Sequence, residues 1–319
     1  MRFQRYGRLA GIATVGALAL SACGGANAGS TGGGGSQLSG TVKIDGSSTV
    51  YPMSAVAAEQ FMTKTGARVT VGASGTGGGF EKFCRGQTDI NDASRPIAPE
   101  EKKVCEKNGI EYERLTIAND ALTVVVSQEN TWAKCLTVDQ LEKIWKPGSK
   151  VDNWNDVDPK FPNVPLKLFG PGTDSGTFDY FTEVIVGAEG KSRSDYAASE
   201  DDNVIVQGVA GTKGGLGYFG YSYYIENKDK LNAVKIDNGK GGCVAPTVEN
   251  AQSGKYKPLS RPLFIYPKVS ALQRDEVSAF ITHYVNHAQQ IAKSQGFVPL
   301  NQEQMKKLQG KLEKLKSSS

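Results

Sequence analysis

The chain has 319 residues, is 39% hydrophobic and 22% charged, and carries a formal net charge of +4, a profile that fits an ordinary globular protein of one large or two medium domains. Past the first residues, no stretch approaches the roughly 20 apolar residues of a membrane-spanning helix. Arg2, Arg5 and Arg8 account for most of the excess charge, so residues 23–319 hold 34 basic against 33 acidic groups, a near-neutral balance that argues against a nucleic-acid binder and its basic footprint.

Those three arginines form a positive n-region, and Leu9 to Leu20 is an apolar segment too short to span a membrane comfortably. Leu20-Ser21-Ala22-Cys23 follows directly. It resembles the lipobox of bacterial lipoproteins, in which the Cys is acylated and becomes the mature N-terminus. The resemblance implies a signal peptide over residues 1–22 and acyl chains (palmitate among them) on Cys23, enough for stable anchoring. Gly24 to Ser39 is rich in Gly, Ser, Ala and Thr and reads as a flexible tether. With Cys23 lipidated, Cys84, Cys105, Cys135 and Cys243 remain, an even set that suggests two disulfides with three possible connectivities. No pair of them has the C-x₂₋₄-C spacing of a zinc site, so no metal is expected.

From Gly40 onward strands and helices alternate. Strands are predicted over Thr41–Ile44, Arg68–Val71, Leu122–Ser127, Leu166–Phe169, Leu216–Phe219, Ala233–Ile236 and Pro262–Tyr266. Helices are predicted over Met53–Lys64, from Phe80 to Arg85, Val138–Trp145, Phe178–Val186, from Val204 to Val209, and Gln273–Ser294. The alternation predicts an α/β fold with mostly parallel sheets.

Three times a strand runs into a loop of Gly, Ser and Thr that opens a helix: Gly46-Ser47-Ser48-Thr49-Val50-Tyr51-Pro52, Gly72 through Gly79, and Gly170 through Thr177. Such a loop presents free backbone N–H groups at the positive end of a helix, and Gly lets the backbone approach a ligand closely. Ser and Thr add hydroxyl donors. One loop alone is explained by helix capping. Three of one design predict a cage of donors for a small anion. In a fourth segment, Asp89 to Ile97, Pro96 forces Arg95 toward an extended conformation, and Arg95 offers a forked cation suited to phosphate.

Catalysis finds less support. Asp174-Ser175-Gly176 lacks the G-x-S-x-G elbow of a nucleophilic serine, and the only histidines, His283 and His287, sit one turn apart on a predicted helix near the C-terminus. Gly208 to Gly215 lacks the order of a nucleotide P-loop.

The segments Gly46 to Pro52, Ser74-Gly75-Thr76-Gly77-Gly78, Asp92-Ala93-Ser94-Arg95-Pro96 and Asp174 to Phe181 resemble, in order and spacing, the ligand loops of the phosphate-binding proteins of the phosphate-specific ABC transport system. Ala210 to Phe219 resembles that family's segment near the inter-lobe region, and the likeness covers about Gly40 to Gln302. It implies a two-lobed periplasmic-binding-protein fold (type II) with the ligand cleft between lobes. It further implies a non-enzymatic, monomeric protein without cofactor, lipid-anchored at the extracytoplasmic face of the bacterial membrane. Such a protein delivers inorganic phosphate to ABC permease subunits. Carried over by position, Ser48, Thr49, Ser74, Ser94, Ser175, Gly176 and Thr177 contact phosphate, with the Val50 backbone N–H and Arg95. Some members have Asp where Ser94 stands, accepting the proton of hydrogen phosphate, and Arg where Pro171 stands. Here Arg95 is the replacement cation. Asp174 is the leading acceptor, with helix capping or pairing to Arg95 as its other role and Asp120 and Asp45 as weaker alternatives. Lobe one is expected over 40–121 plus 259–319 and lobe two over 122–258. Since a bridge between lobes would obstruct closure, that division implies Cys84–Cys105 and Cys135–Cys243.

Overall fold

The computed structural model describes residues 38–317 apart from 174 and 241; the expected signal peptide, Cys23, nearly all of the tether and Asp174 lie outside the described residues. The strands are β1 (Thr41–Gly46), β2 (Arg68–Val71), β3 (Ile90–Ala93), β4 (Leu115–Ser127), β5 (Cys135–Thr137), β6 (Lys167–Pro171), β7 (Ala197–Ser199), β8 (Gly215–Gly220), β9 (Leu231–Ala233), β10 (Lys235–Asp237), β11 (Cys243–Val244) and β12 (Ser260–Pro267). The helices are α1 (Tyr51–Thr65), α2 (Gly75–Cys84), α3 (Pro99–Lys107), α4 (Val138–Trp145), α5 (Trp154–Val157), α6 (Gly176–Phe181), α7 (Asp202–Ala210), α8 (Tyr221–Glu226), α9 (Val248–Gln252), α10 (Asp275–Ser294) and α11 (Gln302–Ser317). A π-helical stretch, Thr182–Val186, continues α6.

Local chemistry accounts for the elements that open the loops. On β1, Val42 and Ile44 alternate inward. Pro52 lies in the first turn of α1, where its missing N–H is harmless, and Met53, Ala57 and Phe61 fall on one buried face. Thr137 caps α4 by accepting the Gln140 N–H, and the Gln140 side chain returns a bond to the Thr137 backbone. The second predicted helix starts five residues earlier than expected, at Gly75 rather than Phe80. Its glycines are there for fit: a Cβ on Gly79 would stand 2.5 Å from the Gly46 Cα and 2.2 Å from Asn91 Oδ1. Close approach to β1 and β3 overrides the low helix propensity of Gly.

Among the described residues, nine strands share one sheet in the order β2-β1-β3-β12-β4-β8-β6-β7, with β9 added on β4. It is mixed, not mostly parallel. β1 pairs in parallel with β2 and β3, and β6 with β7 and β8, but β12 and β4 run antiparallel to their neighbours. Strand–helix alternation places a strand at each of these positions but does not give its direction, which is set by the strands it pairs with. The predicted strand Ala233–Ile236 is two, β9 on β4 and β10 on β5.

β4 also divides the interior. Its Leu115, Ile117 and Ala118 pack with Val42, Ile44, Phe61, Phe280 and Leu312 in one core. Its Leu122, Val124 and Val126 pack with Trp145, Trp154, Phe181 and Tyr218 in a second. The bonded neighbours change at the same place: β12 pairs with Leu115 to Ala121, and β8 with Leu122 to Val126. Cys84 is bonded to Cys105, tying α2 to α3, and Cys135 to Cys243, tying β5 to β11.

Asp92 on β3 is fully buried, and that burial pushes its carboxyl up to about 8 against the pull of the Ser54 hydroxyl, with Asp45 adding to the rise. An unfolded Asp titrates near 3.9, so between roughly pH 4 and 8 the native state holds one more proton and stability falls as pH rises through that window. Asp92→Asn is expected to remove that slope and to be the more stable protein at pH 8.5, by on the order of a few kcal/mol. Thermal melts of parent and variant from pH 5 to 9 check this; parallel curves would assign the pH dependence to other groups.

Candidate anion site

The loop after β1 is held from below. Ser47 donates its N–H to the Asp92 carbonyl (3.0 Å), and the Tyr51 N–H returns to Ser47 O (2.9 Å), starting α1. This leaves the Ser48 and Thr49 hydroxyls on the cavity side. Ser48 Oγ donates to Asp179 Oδ2 (3.1 Å) and Thr49 Oγ1 to the Gly176 carbonyl (3.2 Å). The Val50 N–H is instead directed to Ser47 O (3.2 Å), and the Val50 side chain is in the first core.

In the loop after β2, Ser74 is turned away. Its N–H and hydroxyl both donate to Asp45 Oδ1 (3.0 and 2.7 Å). Burial works to raise the Asp45 carboxyl, but bonds from Lys82 and Ser74 outweigh it and hold the group below its ordinary range. Thr76, two residues on, takes the expected place of Ser74 on the cavity wall. Thr76 Oγ1 accepts the Ser94 N–H (3.2 Å) and the two hydroxyls lie 3.1 Å apart, so the loops after β2 and β3 brace each other. Arg95 reaches the wall as expected, yet its guanidinium makes a two-pronged bond to Glu101 (2.9 and 2.7 Å).

Two cavities flank the Thr49–Gly176 contact. One, of about 40 Å³, is lined by Ser48, Thr49, Thr76, Ser94 and Arg95 from one side and by Asp179, Tyr180 and Glu183 from the other. At the roughly 10–15 Å³ a water requires, it has the scale of a small ion rather than an organic ligand. The second, about 230 Å³, shares Ser48 and Thr49 and is lined by Ser175, Gly176, Thr177, Asp120 and Asp202. Ser175 caps α6, its Oγ accepting the Thr177 N–H (3.2 Å). The expected contact residues are thus divided: Ser48, Thr49, Ser94 and Arg95 meet at the small cavity, Ser175 to Thr177 face the larger one across Thr49, and Ser74 and Val50 join neither.

The cavity also holds charged groups that the sequence reading passed over. Arg261, on β12, donates to Thr49 Oγ1 (3.2 Å) and to Glu183 (3.3 Å), and its guanidinium lies 3.4 Å over the Tyr180 ring. Asp179 is raised by burial, against the pull of the Ser48 hydroxyl and Arg261. Glu189 is raised by burial and by Asp179 and Glu183. A signal for Arg261 was present: Ser260-Arg261-Pro262 repeats Ser94-Arg95-Pro96, and both arginines line this cavity. Asp179 lay inside the Asp174 to Phe181 ligand-loop segment without being singled out, and Glu183, six residues after Thr177, lay in a stretch read only as helix. No cluster of metal ligands occurs among the described residues; His283 and His287 stack on α10, with centroids 4.2 Å apart.

Residues 31–287 match the family model of the PBP superfamily domain. The chain is 48% identical over 262 residues to protein SphX of Synechococcus elongatus, covering 81% of this chain and 77% of that protein. It is 41% identical over 310 residues to the phosphate-binding protein PstS of Staphylococcus saprophyticus, covering 96% of this chain and 94% of that one. Among solved structures it is similar to a possible phosphate binding protein from Planctomyces limnophilus, with TM-score 0.84 and 46% identity over 87% of this chain and 99% of that one. It is also similar to a putative phosphate ABC transporter substrate-binding protein with bound phosphate from Clostridium perfringens, with TM-score 0.56 and 27% identity over 82% and 100%.

The contact between the first and third loops allows no side chain at Gly176. A Cβ there would stand 2.8 Å from the Thr49 N, Cα and Oγ1. Gly176→Ala is expected to hold the loops apart and weaken anion binding about tenfold or more, roughly 1.4 kcal/mol or above. The variant should keep the parent's circular dichroism. An unchanged anion affinity would show that the contact plays no part in the bound state.

Proposed function

The chain belongs to the PBP superfamily and, within it, to the family of the phosphate-binding proteins PstS and SphX; on that premise we propose that it captures inorganic phosphate outside the cytoplasm and delivers it to the permease of an ABC transporter. The observation that carries the reading is the small cavity, where Ser48, Thr49, Thr76 and Ser94 bring hydroxyls from three loops beside Arg95 and Arg261. Two of those loops open the helices α1 and α2, whose first N–H groups favour an anion. A fourth loop, Ser175 to Thr177, is tied to this site by the Thr49–Gly176 bond.

The protein is a monomer in this reading and binds its ligand without turnover. In this reading the lobes are 40–121 with 259–319 and 122–258, a division that the two separate cores support, and they close on the anion by a hinge. Acylation of Cys23 holds the body at the outer membrane face by a tether over residues 24–39.

Selection against sulfate falls to Asp179. At neutral pH phosphate keeps a proton and sulfate has none. A carboxylate in the cage accepts that proton's hydrogen bond but faces only lone pairs on sulfate, at a cost on the order of several kcal/mol. Asp179 supports this role because it lines the cavity 3.1 Å from Ser48 Oγ, whereas Asp174 lies outside the described residues. Equilibrium dialysis with radiolabelled phosphate, with sulfate as competitor, tests both proposals. The parent should retain phosphate and ignore excess sulfate. Asp179→Asn should bind phosphate 10- to 100-fold more weakly and lose much of its preference, since a bond to a charged group is worth about 1.5–3 kcal/mol. A variant that rejects sulfate as well as the parent does would place the acceptor elsewhere.

A further inference from the structure

Arg261 stands directly opposite Asp120 in the antiparallel register of β12 and β4, near the point where β4 passes from one core to the other. Its side chain is only 11% exposed and that of Asp120 5%, so the pair is buried. The pair is also slack. Nε lies 3.5 Å from Asp120 Oδ2, and neither atom has a hydrogen-bond partner among the described residues. The Glu183 contact, at 3.3 Å, is likewise long against the roughly 2.7–2.9 Å of a charge-assisted bond. The Tyr180 face sets the plane of this guanidinium, with Asp120 as the buried counter-charge beside it, while much of its donor capacity stays unused. Arg95 is the contrast, already closed on Glu101 at 2.9 and 2.7 Å.

We propose that Arg261, not Arg95, is the principal cationic ligand of the bound anion, oriented by Asp120 and Tyr180, and that Glu183 is the counter-ion it gives up when the anion arrives. The proposal rests on the phosphate reading above and names how that site is loaded. Glu183 is the partner able to leave: its side chain is 39% exposed, against 5% for Asp120, so it can turn to water. Thr49 links the exchange to the loops. Its hydroxyl accepts from Arg261 Nη2 and donates to the Gly176 carbonyl, each at 3.2 Å, so the fork that holds the anion also holds the contact between the first and third loops. A tetrahedral oxyanion offers several acceptor oxygens to a planar fork, a fit that an ammonium does not reproduce.

The exchange has a signature that a structural ion pair lacks: its two partners act with opposite sign. In equilibrium dialysis of the full chain with radiolabelled phosphate, Arg261→Gln is expected to bind at least 30-fold more weakly and Arg261→Lys at least tenfold more weakly. Glu183→Gln, which removes the competitor, is expected to bind a few-fold more tightly. Because Arg261→Gln leaves Asp120 buried without its partner and so endangers folding, the double variant Arg261→Gln with Asp120→Asn is measured beside it, each checked by thermal melting. A folded double variant that binds within threefold of the parent would overturn the assignment of Arg261. Glu183→Gln binding tenfold more weakly would overturn the exchange. A parent that retains no phosphate would sink the phosphate reading and this inference together, whereas a binding parent matched by its Arg261 variants sinks this inference alone.

Discussion

The structure depends on one pair of antiparallel strands. β4 lends its first half to one core and its second half to another, and β12 pairs with the first half in antiparallel register. The strands that carry the cavity loops are hung from that pairing. β3, which ends at the Ser94-Arg95 segment, is bonded to β12, and β1, which ends at the Ser48-Thr49 loop, is bonded to β3. On the other side β8 is bonded to β4, and β6, which feeds the Ser175 loop, is bonded to β8. A one-residue slip of β12 on β4 would send Arg261 to the opposite face of the sheet and leave Asp120 unpaired. Fold and binding site therefore fail or succeed on the same register.

That dependence explains how the site was legible in part. The Gly/Ser/Thr loops were visible because their chemistry is local: a strand ends, glycines permit close approach, and a capped helix begins. Ser48 and Thr49, which such a loop carries, and Ser94, which the family likeness points to, all line the small cavity. The joining of Cys84 to Cys105 and of Cys135 to Cys243 follows instead from the expected division into lobes, and both bonds are present. Ser74 does not line the small cavity, because which residue of Ser74-Gly75-Thr76 faces it is set by where α2 begins. The run Gly77 to Gly79 made that start look later than it is. Arg261 stands 212 residues from the Thr49 hydroxyl it bonds, a pairing that only the sheet topology creates. The parallel bias of the first reading has the same origin, since β4 and β12 reveal their direction only through each other.

The electrostatics of the cavity look contradictory for an anion site. Two arginines line it with three acidic residues, Asp179, Glu183 and Glu189. Burial raises Asp179 and Glu189, so the protein spends stability to keep acids there. The helix ends resolve part of the contradiction. N–H groups and hydroxyls at the starts of α1 and α2 attract negative charge without carrying a full charge of their own, and in a small, largely dry space they act at low dielectric.

On the proposed reading, the acids set what kind of anion is tolerated. A cage of donors and arginines alone would take any tetrahedral oxyanion of the right size, and would favour the most highly charged. Adding carboxylates lowers affinity for all of them, but not equally. A ligand that carries a proton turns one carboxylate from a repulsive neighbour into an acceptor, and a ligand that displaces a half-exposed carboxylate from its arginine lets that carboxylate return to water. A fully deprotonated anion gains the second benefit and not the first. Specificity in such a site comes from the groups that oppose binding, which is why residues 23–319 can be nearly neutral overall and still hold a strongly polar centre. Because the discriminating groups are buried or half-buried at the cavity, ionic strength should alter the rate of encounter more than the choice of ligand.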